Sequence, residues 1–158
     1  MNNPQLRIFV SSTYLDLINY RLAAEKAIND LGQKYKGIEY IRVMNEEPTK
    51  ARLDLVEKCK IFIGIYAWWY GYIPEGKDIS ITEQEYIQAR KLGRPCFCYF
   101  VDEGFFWNPR FIDTGPAKVK LKRFKNIISN EHVYENFTTI GSLQYNLFCD
   151  ISKWLVNN

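Results

Sequence analysis

Short apolar runs alternate along this chain with longer stretches in which apolar residues recur every three or four positions. Leu6 to Val10 is a compact, β-branched run that reads as a strand. Ser11, Ser12 and Thr13 stop it. They are helix-capping residue types, and they predict a helix over 14–31 whose buried stripe carries Leu17, Ala24, Ile28 and Leu31, with Gly32 as the stop. Ile38 to Met44 reads as a second strand. Pro48 opens a short helix over 49–58, with Ala51, Leu55 and Val56 inward. Cys59 to Tyr66 is the most apolar strand and is expected at the centre of a sheet. A loop rich in Trp, Tyr and Gly runs from Ala67 to Ser80. A helix follows over 82–92 and ends at Gly93. Pro95 to Val101 is a fourth strand. After an irregular aromatic stretch over 102–116 come a helix over 117–130 and a weak fifth strand over 133–137. A closing helix over 142–156 has Leu143, Leu147, Ile151 and Leu155 at steps of four. No repeat or low-complexity tract interrupts the series.

Strands alternating with helices imply an α/β fold: a mainly parallel five-stranded sheet covered on both faces, with Ile61 to Ile65 in its middle. Such sheets bind ligands beyond the carboxyl ends of their strands. That directs attention to 11–16, 45–47, 68–85 and 102–107.

The length, 158 residues, suits a single domain. A formal net charge of +3 is too small for a phosphate-backbone binder, so no nucleic-acid partner is expected. Lys118, Lys120, Lys122, Arg123 and Lys125 read as the solvated face of a helix. The longest apolar run, Ile61 to Tyr72, falls short of the ~20 residues of a membrane span. No signal peptide is apparent, and cytoplasmic residence is expected. Cys59, Cys96, Cys98 and Cys149 are expected to be reduced. With no Cys-x-x-Cys pair and one histidine, no metal site is expected.

Phosphate-loop glycine motifs and a nucleophile elbow are absent, and the lone His132 reads as a surface residue. The carboxylates are more informative. On the 82–92 helix, Ala89 and Leu92 lie within ~40° of Glu85, so Glu85 shares the buried stripe, while Glu83 points to the opposite, solvated side. A buried carboxylate in the first turn, at the ligand-binding end, is a candidate general base or nucleophile. Thr82-x-x-Glu85 also has capping-box spacing, as do Ser80 and Glu83. Arg21 lies ~40° from Leu17 and ~20° from Ile28, on an apolar stripe. A guanidinium there needs a carboxylate, with Asp16 or Glu85 the expected partner, or an anionic ligand. Trp68-Trp69-Tyr70-Gly71-Tyr72 reads as an aromatic wall over such a site, as core, or as a patch facing another domain.

Several stretches together resemble one family: Arg7-Ile-Phe-Val-Ser-Ser-Thr-Tyr-Leu-Asp16, Arg21, Val56 with Cys59-Lys-Ile-Phe-Ile-Gly64, Tyr70-Gly-Tyr-Ile-Pro74, and Ser80-Ile-Thr-Glu-Gln-Glu-Tyr86 with Ala89. The resemblance is to the domain of unknown function found at the amino termini of NACHT- and STAND-type NTPases, in bacterial defence proteins and in animal NACHT–WD-repeat proteins. It implies a three-layer, flavodoxin-like sandwich related to TIR domains and nucleoside deoxyribosyltransferases. In the latter a glutamate four residues before a helical alanine attacks the sugar carbon, and Glu85 and Ala89 match that spacing. Many TIR enzymes likewise use a helical glutamate to cleave NAD.

Two functions follow as expectations. In one, residues 1–158 form the amino-terminal effector or interaction module of a longer defence or stress-signalling protein. Its partner is then an NTPase or sensor domain, or a second copy, and it uses no cofactor. In the alternative it is an N-glycosidase that takes NAD or a related nucleotide as substrate. Glu85 is then the catalytic carboxylate, and Ser11, Ser12, Thr13, Arg21, Trp69, Tyr72, Ser80 and Thr82 bind the substrate.

Overall fold

The computed structural model describes residues 4–40 and 47–158. Strands and helices alternate through them. They are β1 (Arg7–Ser11), α1 (Ile18–Asp30), β2 (Lys34–Lys36), α2 (Pro48–Glu57), β3 (Ile61–Tyr66), α3 (Ile81–Lys91), β4 (Cys96–Val101), α4 (Gly115–Glu131), β5 (Tyr134–Phe137) and α5 (Ile140–Asn157). The sheet has the order β2-β1-β3-β4-β5 and every pairing is parallel. Parallel neighbours cannot be joined by a tight turn, so each connection crosses a face of the sheet and carries a helix there.

β3 shows why the sheet is covered twice. All six of its residues are buried. Ile61, Ile63 and Ile65 join one core with Leu17, Ala24 and Ile28 of the first helical region and Leu143, Leu147 and Ile151 of α5. Phe62 and Tyr66 point the other way, into a core with Val56, Tyr86, Ala89, Leu121, Phe124 and Ile128 from α2, α3 and α4. The alternation of a strand thus feeds two apolar layers.

Several expectations need correction. The second strand is Lys34–Lys36, not Ile38 to Met44; Ile38–Tyr40 is a 3-10 turn, and Met44 lies outside the described residues. In this short edge strand Tyr35 is the buried residue, flanked by lysines, so it leaves no apolar run to detect. α1 begins at Ile18, and its N-cap Leu17 makes no side-chain cap. The Ser-Ser-Thr hydroxyls turn inward instead of capping. Lys118 and Lys122 are solvated, but Lys125 folds inward, with Nζ 4.3 Å from the Trp68 ring centroid. Burial pushes its ammonium down to about 8. His132 is half-buried against the edge of Tyr86 rather than on the surface.

All four cysteines are free thiols. Among the described residues no helix is long and apolar enough to cross a membrane.

Candidate functional site at the carboxyl edge of the sheet

The strand order reverses direction between β1 and β3: the chain goes from β1 to one edge, and from β3 to the other. Such a switch point opens a crevice beyond the strands' carboxyl ends. A cavity of about 170 Å³ lies there. Ser12, Thr13, Tyr14 and Leu15 form one wall, Trp69, Gly71 and Tyr72 a second, and Ile81 and Thr82 of α3 a third, with Arg52 of α2 reaching in. Gly71 has φ +92, and its Cα passes so close to Thr13 that a Cβ would sit 3.0 Å from Thr13 Cγ2. A side chain here would be strained and would fill the crevice. A larger, open, polar depression lies elsewhere, along Lys34 to Lys36, and holds none of the candidate residues.

Glu85 stands directly behind the cavity, fully buried. Ser11 Oγ donates to Oε2 at 2.6 Å, and Arg52 Nε donates to Oε1 at 2.5 Å. The capping box that Thr82 and Glu85 could have formed is not made. The N-cap is Ser80, whose hydroxyl accepts from the Glu83 backbone N–H. Glu85 is therefore free of the backbone and aimed at the strand ends.

Arg21 is buried, as its place on the apolar stripe predicts, but its partner is neither Asp16 nor Glu85. Nε and Nη2 grip the carboxylate of Glu39 at 2.6 and 2.9 Å. Nη1 donates to Ser12 Oγ at 2.8 Å, and Nη2 also reaches the Tyr35 hydroxyl at 2.9 Å. Gly37 makes the space, since a Cβ there would fall 2.5 Å from Arg21 Nη2. Burial pushes the Glu39 carboxyl up, but the Arg21 hydrogen bond and charge win and hold it below the ordinary glutamate range. Arg21 thus braces Ser12 from behind rather than lining the cavity.

Glu83 is the second correction. It is 3% exposed, not solvated. Arg123 of α4 clamps it with two hydrogen bonds, at 2.9 and 2.7 Å, and the Tyr70 hydroxyl donates to it as well. The Ser80 backbone N–H donates to that same hydroxyl. α4 covers a helix face that the pattern of α3 alone marks as open. The aromatic segment divides accordingly. Tyr70 is locked into this clamp and Trp68 lies under Lys125. Trp69 packs 5.7 Å from Phe111, and Tyr72 is 69% exposed at the cavity mouth.

Asp16 is left without the partner expected for it. Both carboxylate oxygens are sealed from solvent with no well-formed hydrogen bond. Burial pushes its carboxyl up to about 6, which Thr13 and the local backbone offset only in part and nearby Asp113 reinforces. The folded state therefore prefers Asp16 neutral. Its contribution is full below the unfolded pKa and is lost as the pH rises through about 6. Asp16→Asn is expected to raise stability at pH 7.5 by at most about 3 kcal/mol and to give no gain at pH 4. Thermal unfolding at the two pH values checks this, and equal shifts at both would contradict it.

Of the residues expected at the site, Ser12, Thr13, Trp69, Tyr72 and Thr82 line the cavity. Ser11, Arg21 and Glu85 form the layer behind, whereas Ser80 caps α3 within the clamp around Glu83. Arg52 and Glu39 went unread in the sequence. Arg52 left a signal, because it lies one turn before Leu55 and Val56 on the inward side of α2. Glu39 left none, because its role depends on a turn of the chain.

A family model described as "Domain of unknown function (DUF4062)" matches residues 7–152. No curated protein matches the sequence. Among solved structures, the TIR domains of the activated Roq1 resistosome, which recognizes the pathogen effector XopQ, are 10% identical with a TM-score of 0.52. That match covers 91% of this chain and 82% of that one. The CMP N-glycosidase BcmB of Clostridium botulinum is 14% identical with a TM-score of 0.48, covering 89% and 97%. At this identity the likeness to the Roq1 TIR domains is one of fold alone, a TIR-like, flavodoxin-like α/β sheet.

Proposed function

We propose, because the chain belongs to the DUF4062 family and that description assigns no activity, a function taken from the site itself. The domain is a TIR-like effector module that binds a nucleotide in the switch-point cavity and breaks its base–ribose bond at Glu85. One observation carries the reading: a fully buried carboxylate, free of the backbone, stands behind a cavity lined by hydroxyls, an arginine and aromatic rings. Buried, specifically partnered carboxylates beside a cleft are the usual equipment of such chemistry.

The lining also bears on the substrate. No carboxylic acid lines the cavity among the described residues, and such a lining suits a base that leaves without being protonated. A pyridinium base needs no proton, because it leaves as a neutral molecule when it takes the bonding pair of the glycosidic bond. NAD fits that requirement. Glu85 would offset the positive charge that builds on the ribose carbon, as an ion or by bonding to it, and water would complete the hydrolysis. The products are free nicotinamide, ADP-ribose and a proton. At about 170 Å³ the cavity holds the nicotinamide–ribose end, and the rest of the dinucleotide lies across the mouth beside Tyr72.

A second reading has its own observation. Leu15 is 58% exposed, and it borders the same cavity as the exposed rings of Tyr14 and Tyr72. An apolar rim of this kind suits docking of an NTPase or sensor domain of a STAND or NACHT protein, or of a second copy of this domain. Both readings hold together if assembly opens the site.

Purified protein is expected to release nicotinamide from NAD, most strongly when concentrated or in its full-length, assembled form. Chromatography of the products measures it. Absence of any free base from assembled protein would leave only the docking role.

A further inference from the structure

Glu85 does not touch the cavity as the protein stands. Arg52 lies between them: its side chain is 13% exposed and lines the crevice, and its Nε holds Glu85 Oε1 at 2.5 Å. A guanidinium carries five N–H donors. Here only Nε is engaged, and the terminal nitrogens of Arg52 have no hydrogen-bond partner among the described residues. An arginine fork therefore stands at the cavity with its terminal N–H groups held by none of the described residues. Glu85, for its part, has a second anchor that does not depend on Arg52, the Ser11 hydroxyl at 2.6 Å on Oε2.

We propose that Arg52 is a gate opened by an oxyanion, and that the ligand of this site must carry a phosphate group. Part of this rests on the reading above, namely that the rest of the ligand is a nucleotide. A phosphate brings more charge than one carboxylate and matches the planar fork with two parallel hydrogen bonds. A phosphate that takes the Nε edge of the fork competes for the nitrogen that holds Glu85, so Arg52 lets go of Glu85, which stays in place on Ser11. Losing Arg52 would leave Glu85 buried and unpaired, a costly state on its own. The Ser11 hydrogen bond meets part of that cost, and a cationic group against Glu85, which the pyridinium ribose of the same ligand supplies, lowers it further. The gate thus selects a phosphorylated, cationic nucleotide over the bare nucleoside, and keeps the carboxylate shut away when no ligand is bound.

The test reads the accessibility of Glu85 directly, without relying on turnover. A water-soluble carbodiimide and an amine convert reachable carboxylates to amides, and peptide mass spectrometry quantifies Glu85 against the exposed Glu75 as internal reference. Inorganic phosphate is the probe, and sodium chloride at matched ionic strength the control. Phosphate is expected to raise labelling of Glu85 relative to Glu75 at least tenfold in the wild type, with no change in chloride. Arg52→Gln is expected to show the raised labelling without phosphate and no further response to it. An unchanged ratio in phosphate, or an equal rise in chloride, overturns the gate. If phosphate exposes Glu85 but NAD yields no nicotinamide, the gate stands and the glycosidase reading falls. If nicotinamide is released while phosphate leaves Glu85 unlabelled, the reverse holds.

Discussion

Glu85→Gln is expected to lower nicotinamide release by about a thousandfold or more while leaving the fold intact. Glutamine has the shape of glutamate and keeps both contacts. Its amide oxygen accepts from Arg52 Nε, and its amide nitrogen donates to Ser11 Oγ. What it lacks is the negative charge needed opposite the ribose carbon as the base departs. The loss should therefore fall on kcat more than on KM. The informative companion is Glu83→Gln, two residues away on the same helix. Glu83 is buried in the clamp with Arg123 and Tyr70 and is not among the residues that line the cavity. That change should cost stability, about 1–2 kcal/mol for a charge-assisted bond weakened, and leave turnover per folded molecule alone. Initial rates, corrected for folded fraction by circular dichroism, separate the two. Equal rates for wild type and Glu85→Gln would remove Glu85 from the chemistry.

The second large effect is on stability. Arg21→Leu is expected to cost about 3–5 kcal/mol, because it removes one partner of a buried ion pair and strands the others. Glu39 loses its counter-charge, and Ser12 and Tyr35 lose a donor. The Glu39 side chain is 32% exposed and can recover some hydration, which favours the lower end of that range. The effect has a pH signature. Arg21 holds the Glu39 carboxyl below its ordinary range, so the pair's stabilisation is full at neutral pH and declines as acid protonates Glu39. The gap between wild type and Arg21→Leu in urea unfolding should narrow toward acid pH. A gap independent of pH would mean that lost packing, not the ion pair, sets the cost.

How much of this was legible in the sequence differs by layer. The sheet's centre was plain, because Ile61 to Tyr66 had no polar position that could face water. The burial of Arg21 and Glu85 was equally plain, since each broke a single helical stripe. Their partners were not. A stripe identifies a face and says nothing of what packs on it. Arg21 therefore drew Asp16 or Glu85 as partner, while the chain brought in Glu39 from a turn that read as a strand. Glu83 failed for the same reason, since α4 lies far along the sequence and only the folded layers put Arg123 above it. β2 was invisible because a three-residue edge strand flanked by lysines needs only one buried side chain.

The strand order has a consequence for how the chain is made. Ile8 pairs with Tyr35 of the three-residue edge strand on one side and with Ile61 on the other, so its inner edge must wait for β3. The apolar run Ile8-Phe9-Val10 leaves the ribosome well before β3 exists to cover its inner edge, and no hairpin can shelter it in the interval. A polypeptide cut ahead of β3 would leave the inner edge of Ile8-Phe9-Val10 open, a charge-free run of high β-propensity of the kind on which chains stick to one another. Fragments that end before Ile61 should therefore be harvested as aggregates, and the smallest piece that expresses in soluble form should include β3 and the helix that caps it.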